Sequence, residues 1–94
     1  MSGITVLVVA HMPSGGVADF ARYEDAVLPL LRDHGGELQR RLRSEDGTTE
    51  VHLVGFPSAD AYAAYRADPR REEHAHLLAA SGARVTLHEL RDVS

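Results

Sequence analysis

Residues 38–58, LQRRLRSEDGTTEVHLVGFPS, hold the stretch on which the fold turns. Leu38, Arg40 and Leu42 alternate with Gln39, Arg41 and Arg43, a period of two that predicts a strand. Asp46-Gly47 reads as a hairpin turn, since glycine accepts the positive φ that tight turns require. Thr49 to Phe56 returns as the partner strand, with Val51, Leu53 and Gly55 on one face and His52, Val54 and Phe56 on the other. Pro57-Ser58 then starts a helix. Ser58 can cap free backbone amides there, and Asp60 in the first turn suits the helix dipole.

Working outward from this hairpin, each side supplies one more helix and one more strand. Residues 4–10, ITVLVVA, are β-branched and apolar, as expected of a strand covered on both faces. After the break at HMPSGG, residues Phe20, Tyr23, Val27, Leu30, Leu31 and His34 recur at spacings of three and four, one face of a helix. Pro29 predicts a kink in it, and Gly35-Gly36 its end. Downstream, a helix bearing Tyr62 and Tyr65 reaches Asp68-Pro69. Asp68 as cap and Pro69 as first helical residue open a third, short helix up to Ser81, which Gly82 stops. Ala83 to Leu90 forms the last strand.

The order β-α-β-β-α-β, with the second helix broken, is the ferredoxin-like split βαβ pattern of the α+β class. It predicts a single domain over residues 1–94 with a four-stranded antiparallel sheet, ordered 4-1-3-2, and helices on one face only. The other face is expected to pack against a second copy of the chain around a two-fold axis, making a homodimer.

Composition narrows the chemistry. The 94 residues carry a net charge of −4 and no cysteine, which argues against nucleic acid as a partner and excludes disulfides and thiolate chemistry. All ten lysine-or-arginine positions are arginine, so no Schiff base or amine nucleophile can form. MSGITVLVVA lacks a basic start and is too short for a membrane span; a soluble, cytoplasmic protein without a membrane partner is expected.

The segments FARYEDAVLPLLRDHGGELQRRL (20–42) and VHLVGFPSADAYAAYRADP (51–69) resemble the family called domain of unknown function 1330, over roughly residues 16 to 90. That family belongs to the dimeric α+β barrel group, alongside the antibiotic biosynthesis monooxygenases. The resemblance implies the barrel fold and a dimer, and it names no catalytic residues. Gly55, Tyr65 and Arg71 stand where that family usually has glutamate, tryptophan and tyrosine.

Histidine is the natural acid–base candidate at neutral pH. His52, mid-strand, shares a face with Val54 and Phe56; if helices cover that face, it lies in the core or in a pocket. His11 ends the first strand, and His74 falls on a helical stripe with Leu77, Leu78 and Ser81. His74 and His76 cannot reach one metal from a continuous helix, so no metal site is expected. Tyr23, Tyr62 and Tyr65 are candidates to line a cavity for an aromatic or polyketide-like metabolite, and Arg40 to hold a carboxylate or enolate. The expected activity is a cofactor-independent isomerisation, cyclisation or lyase step, suited to secondary metabolism. The alternatives are a cofactor-free monooxygenase of the antibiotic-biosynthesis type and a non-catalytic dimer that binds a metabolite or a protein.

Overall fold

The structure, a computed structural model, describes residues 3–93. Its strands are β1 (Ile4–His11), β2 (Glu37–Arg43), β3 (Thr49–Phe56) and β4 (Arg84–Leu90), and its helices are α1 (Val17–Val27), α2 (Ala59–Arg66), α3 (Pro69–Glu72) and α4 (Ala75–Ser81). All strand pairings are antiparallel and the order is β2-β3-β1-β4, the expected 4-1-3-2 read from the other edge. The fold is ferredoxin-like α+β.

Register decides which side chains meet the helices. Ile4, Val6, Val8 and Ala10 of β1 stand opposite Phe56, Val54, His52 and Glu50 of β3. All but the half-buried Val8 are buried, so this is the helix-covered face. Leu7 and Val9, with Leu53 and Val51 opposite them, lie on the outer face and are half-buried. The expectation that β1 is covered on both faces is therefore met on one face only within a single chain.

Three local features depart from the simple reading. A β-bulge between Leu38 and Arg40 breaks the alternation of β2. Leu38 pairs with Val54 and faces the helices, whereas Arg40 and Leu42 pair with Leu53 and Val51 and face outward. Second, α1 ends at Val27, and a 3-10 stretch from Leu28 to His34 replaces the expected kinked helix. Pro29 is the second residue of that stretch, and Gly35 closes it at φ 70°. Third, the expected third helix is two pieces, α3 and α4, with His74 as the N-cap residue of α4.

The caps fall where the residue chemistry puts them. Ser58 Oγ accepts the Ala61 amide at 3.1 Å, and Asp68 Oδ1 accepts that of Arg70 at 2.9 Å. Above the sheet, α1 packs on α4, and α2 packs on the 3-10 stretch. Burial then separates into two apolar clusters. One gathers Ile4, Val6, Leu31, Val54, Phe56, Tyr62 and Tyr65; the other gathers Ala10, Met12 and Phe20. Between them along the strands lie Val8 and His52.

Candidate functional site

A cavity of about 320 Å³ sits under the helices at this division of the core. Valines and aromatic rings line most of it: Val6, Val8 and Val54 from the sheet, Phe20, Tyr23 and Val27 from α1, and Tyr62 and Tyr65 from α2. Val85 and Leu87 of edge strand β4 border it and are 39% and 41% exposed, so the opening lies on the β4 side. The polar groups on its wall are few: His52, Glu24, Arg71 and Arg66, with the tyrosine hydroxyls. A mostly apolar hollow with a handful of placed polar groups is the usual form of a small-molecule site.

His52 is oriented from behind. Its Nε2 lies 2.7 Å from Glu50 Oε1, and both residues are buried at 3% exposure. Glu50 also accepts hydrogen bonds from Arg41 Nε and, at 3.0 Å, Arg43 Nε. Burial works against its ionisation, but the bonds from His52, Arg41 and Arg43 outweigh it and hold the carboxyl down at about 2. A carboxylate can only accept, so Nε2 carries a proton, and in a neutral imidazole the lone pair then lies on Nδ1. Nδ1 in turn stands 3.9 Å from Glu24 Oε2, too long for a hydrogen bond.

Glu24 is the second unusual group. It projects from α1 in the apolar stripe of Phe20, Tyr23 and Val27 and is 7% exposed. Burial, reinforced by the negative charge of Glu50, pushes its carboxyl up to about 7. Near neutral pH it is therefore an acid poised to give or take a proton.

Arg71 of α3 completes the wall. Its guanidinium lies 4.6 Å over the Tyr65 ring, and one terminal nitrogen donates to the Tyr23 hydroxyl at 3.1 Å. Tyr65 donates its own hydroxyl to the Val27 carbonyl at 3.4 Å, and burial pushes its phenol up to about 12. The Tyr62 hydroxyl and the Arg71 Nε are buried without a hydrogen-bond partner.

Of the residues singled out in the sequence, His52, Tyr23, Tyr62 and Tyr65 meet at this cavity. The others lie elsewhere. His11 is exposed at the end of β1, with Nδ1 3.1 Å from Thr49 Oγ1. His74, expected on a helical stripe with Leu77, Leu78 and Ser81, instead precedes the first turn of α4 and does not border the cavity. Arg40 is turned to the outer face by the bulge, with the sheet between it and the cavity. The sequence reading missed Glu24, Glu50 and Arg71. Two of these carry a signal: Glu24 interrupts an apolar helical stripe, and Glu50 occupies the inward phase of β3 two residues before His52. Among the described residues no group of three or more histidine, cysteine, aspartate or glutamate side chains is placed to hold a metal. No helix there is long and apolar enough to cross a membrane.

No family model matches the chain. No curated protein matches it. Solved structures do. A candidate antibiotic biosynthesis monooxygenase of Caulobacter crescentus superposes with a TM-score of 0.82 at 13% identity, covering 99% of this chain and 92% of that one. A second candidate antibiotic biosynthesis monooxygenase, of Bordetella bronchiseptica, gives 0.77 at 19% identity with both chains covered in full. A NIPSNAP-like domain protein of Burkholderia xenovorans gives 0.74 at 19% identity, covering 98% and 86%. The chain thus shares the fold of antibiotic-biosynthesis-monooxygenase-like and NIPSNAP-like proteins.

Proposed function

We propose that this protein is a cofactor-independent enzyme that moves a proton on a small, largely apolar ring compound held between sheet and helices. The observation that carries this reading is the pairing of His52 with Glu24. A histidine locked by Glu50, with its free Nδ1 turned toward the cavity side, faces a carboxyl whose pKa is about 7. Base and acid on one wall suit removal of a proton from an activated carbon and its return at a neighbouring atom, an isomerisation. Arg71 and the Tyr23 hydroxyl are positioned to stabilise the enolate oxygen that forms between those two steps. An intramolecular cyclisation or a lyase step uses the same groups in the same order.

The probe 2-tetralone, a bicyclic ketone with acidic α-hydrogens, tests this directly. In deuterated buffer the protein should accelerate deuterium entry at the α-carbon, and His52→Ala should slow that exchange by about 100-fold or more. Exchange that is equally fast in His52→Ala removes the acid–base role.

A second reading, oxygen insertion, is favoured by one observation: two of the fold's solved relatives are candidate monooxygenases. The same base would generate an electron-rich phenolate that itself reduces dioxygen, one oxygen atom entering the ring and the other leaving as water while the phenol is oxidised to a quinone. Oxygen consumption dependent on an oxidisable phenol and on His52 would select it over isomerisation. Turnover that survives alanine at His52, His11 and His74 in turn removes the acid–base role, whereas a ligand bound without turnover, its affinity following Tyr23, Tyr62 and Tyr65 and not the histidines, makes the protein a binder.

We also infer that the outer sheet face is covered by a second copy of the chain. Leu7, Val9, Val51 and Leu53 are half-buried on it, and Leu42 and Leu90 are 45% and 41% exposed, with no helix among the described residues to cover them. These apolar side chains share the face with Arg40 and His88, and a two-fold axis lets both copies bury the same patch.

A further inference from the structure

We propose that the ligand of the cavity is an anion, a small ring compound whose carboxylate or phenolate oxygen pairs with Arg71. This rests on the reading of the cavity as a small-molecule site and adds the charge of what it takes.

The first support is a charge without a counter-charge. Arg41, Arg43 and Arg70 each meet a carboxylate, at Glu50, Glu50 and Asp68. Arg71 meets none among the described residues; its contacts are a tyrosine face and a tyrosine hydroxyl, and its Nε is buried without a partner. A half-buried guanidinium with no carboxylate partner favours an incoming anion, and its planar fork matches a carboxylate. The other carboxylate near the cavity, Glu50, is already saturated by His52, Arg41 and Arg43 and cannot serve Arg71.

The second support is the ring-lined volume. About 320 Å³ bounded by Phe20, Tyr23, Phe56, Tyr62 and Tyr65 is at the small end of ligand sites, which run from roughly 300 to 1,000 Å³. One or two rings fill it, with the charged oxygen at the arginine end.

Glu24 then makes binding depend on pH. It is faced by His52 and Glu50 from β3, Arg41 from β2, Arg71 from α3 and Tyr65 from α2, with Asp25 beside it on α1. Neutral, it leaves the positive charge of Arg71 to the ligand and offers a hydrogen bond of its own. Ionised, it supplies the missing negative charge itself and repels a second one. Since its carboxyl is pushed up to about 7, anion affinity should fall as pH rises through neutrality.

Calorimetric titration of the full chain with naphthalene-2-carboxylate and its neutral isostere naphthalene-2-carboxamide tests the proposal. At about pH 6 the carboxylate should bind about ten-fold more tightly or better, the effect of one charge-assisted pair. Arg71→Gln should abolish that preference while still binding the amide, and Arg71→Lys should keep most of it. Between about pH 6 and about pH 8 carboxylate affinity should drop several-fold in the natural protein and stay level in Glu24→Gln. A third probe, 2-naphthol, separates the two oxygen sources. If it is bound with the absorption of its phenolate, the acceptor site takes phenols; if only the carboxylate binds as an anion, the site takes acids. Either result supports an anionic ligand. Equal affinity for carboxylate and amide, a preference that survives Arg71→Gln, or no binding of either anion at millimolar concentration overturns it. The two readings fail separately: deuterium exchange that is as fast in His52→Ala ends proton transfer alone, and the anion preference is read only from the carboxylate and carboxamide titrations.

Discussion

Glu24 is the residue at which stability and function pull apart. Its carboxyl ordinarily ionises near 4.5 and in the folded chain near 7, so between those values the folded state holds a proton that the unfolded state has lost. Stability contributed by the protonated form is fully present below about 4.5 and declines as pH rises through about 7. Above that, the folded chain carries a buried, poorly solvated charge. Glu24→Gln should therefore stabilise the protein at about pH 8 by about 2–3 kcal/mol and leave it unchanged near pH 4. Urea unfolding at the two pH values checks this; a gain of the same size at both would show that the burial cost is not one of ionisation. The opposite holds for Glu50, whose depressed pKa supports the fold above about 4.5 and fails as pH falls toward about 2. At this scale the sequence was partly legible. His52 could be placed by the alternation of β3, and Glu24 could have been found as a charge in the stripe of Phe20, Tyr23 and Val27. Arg71 could not, because the chain stops being helical on either side of α3 and the phase that would aim the residue is lost.

At the scale of elements, the strands and turns were read well because period two and glycine at positive φ are local signals. Gly35, Gly47 and Gly82 all have φ between 70° and 78°, each at an expected boundary. The bulge in β2 and the division of the last helix were hidden, since both are settled by partners distant in sequence. The four-residue α3 shows why. One turn cannot sustain itself, and it is held by Asp68, which caps it and also bonds His34 Nε2 at 2.7 Å and Arg70. His34 lies 34 residues away in the chain and rests edge-on against Tyr65, so the position of Arg71 depends on the end of the 3-10 stretch. A second long-range fit joins the turn before α1 to the end of α4. A Cβ on Gly16 would sit 1.8 Å from the Ser81 carbonyl oxygen, although the backbone there, at φ −96°, would accept any residue. Gly16→Ala should thus cost about 2 kcal/mol or more, because backbone must move rather than a flexible side chain. Thermal unfolding measures it. A neutral effect would mean that α4 is free to slide away from the turn.

For the molecule as a whole, shape is the telling quantity. The Cα atoms span 42 × 31 × 16 Å, the thickness of one sheet plus one helix layer, which leaves the back of the sheet bare. Its centre is the pair Leu7 and Leu53 on the two middle strands, with Val9 and Val51 next along them, His88 and Arg40 beside them across the sheet, and Leu42 and Leu90 farther out. A chain of 94 residues has a limited core, and burying this second face against a copy of itself would add apolar area that one layer of helices cannot. The substitution Leu53→Arg sets a second positive charge beside Arg40 at that centre in each copy, so a two-fold interface would gather unpaired arginines there. Sedimentation equilibrium should find the natural chain as a dimer at micromolar concentration and Leu53→Arg as a monomer. Because Leu53 faces away from the helices, the cavity that His52 and Glu24 line should survive the change, and the variant should still bind naphthalene-2-carboxylate. A natural chain that stays monomeric at millimolar concentration removes the second copy. A monomeric variant that loses the ligand would instead mean that the partner holds the sheet, and through it the cavity, in shape.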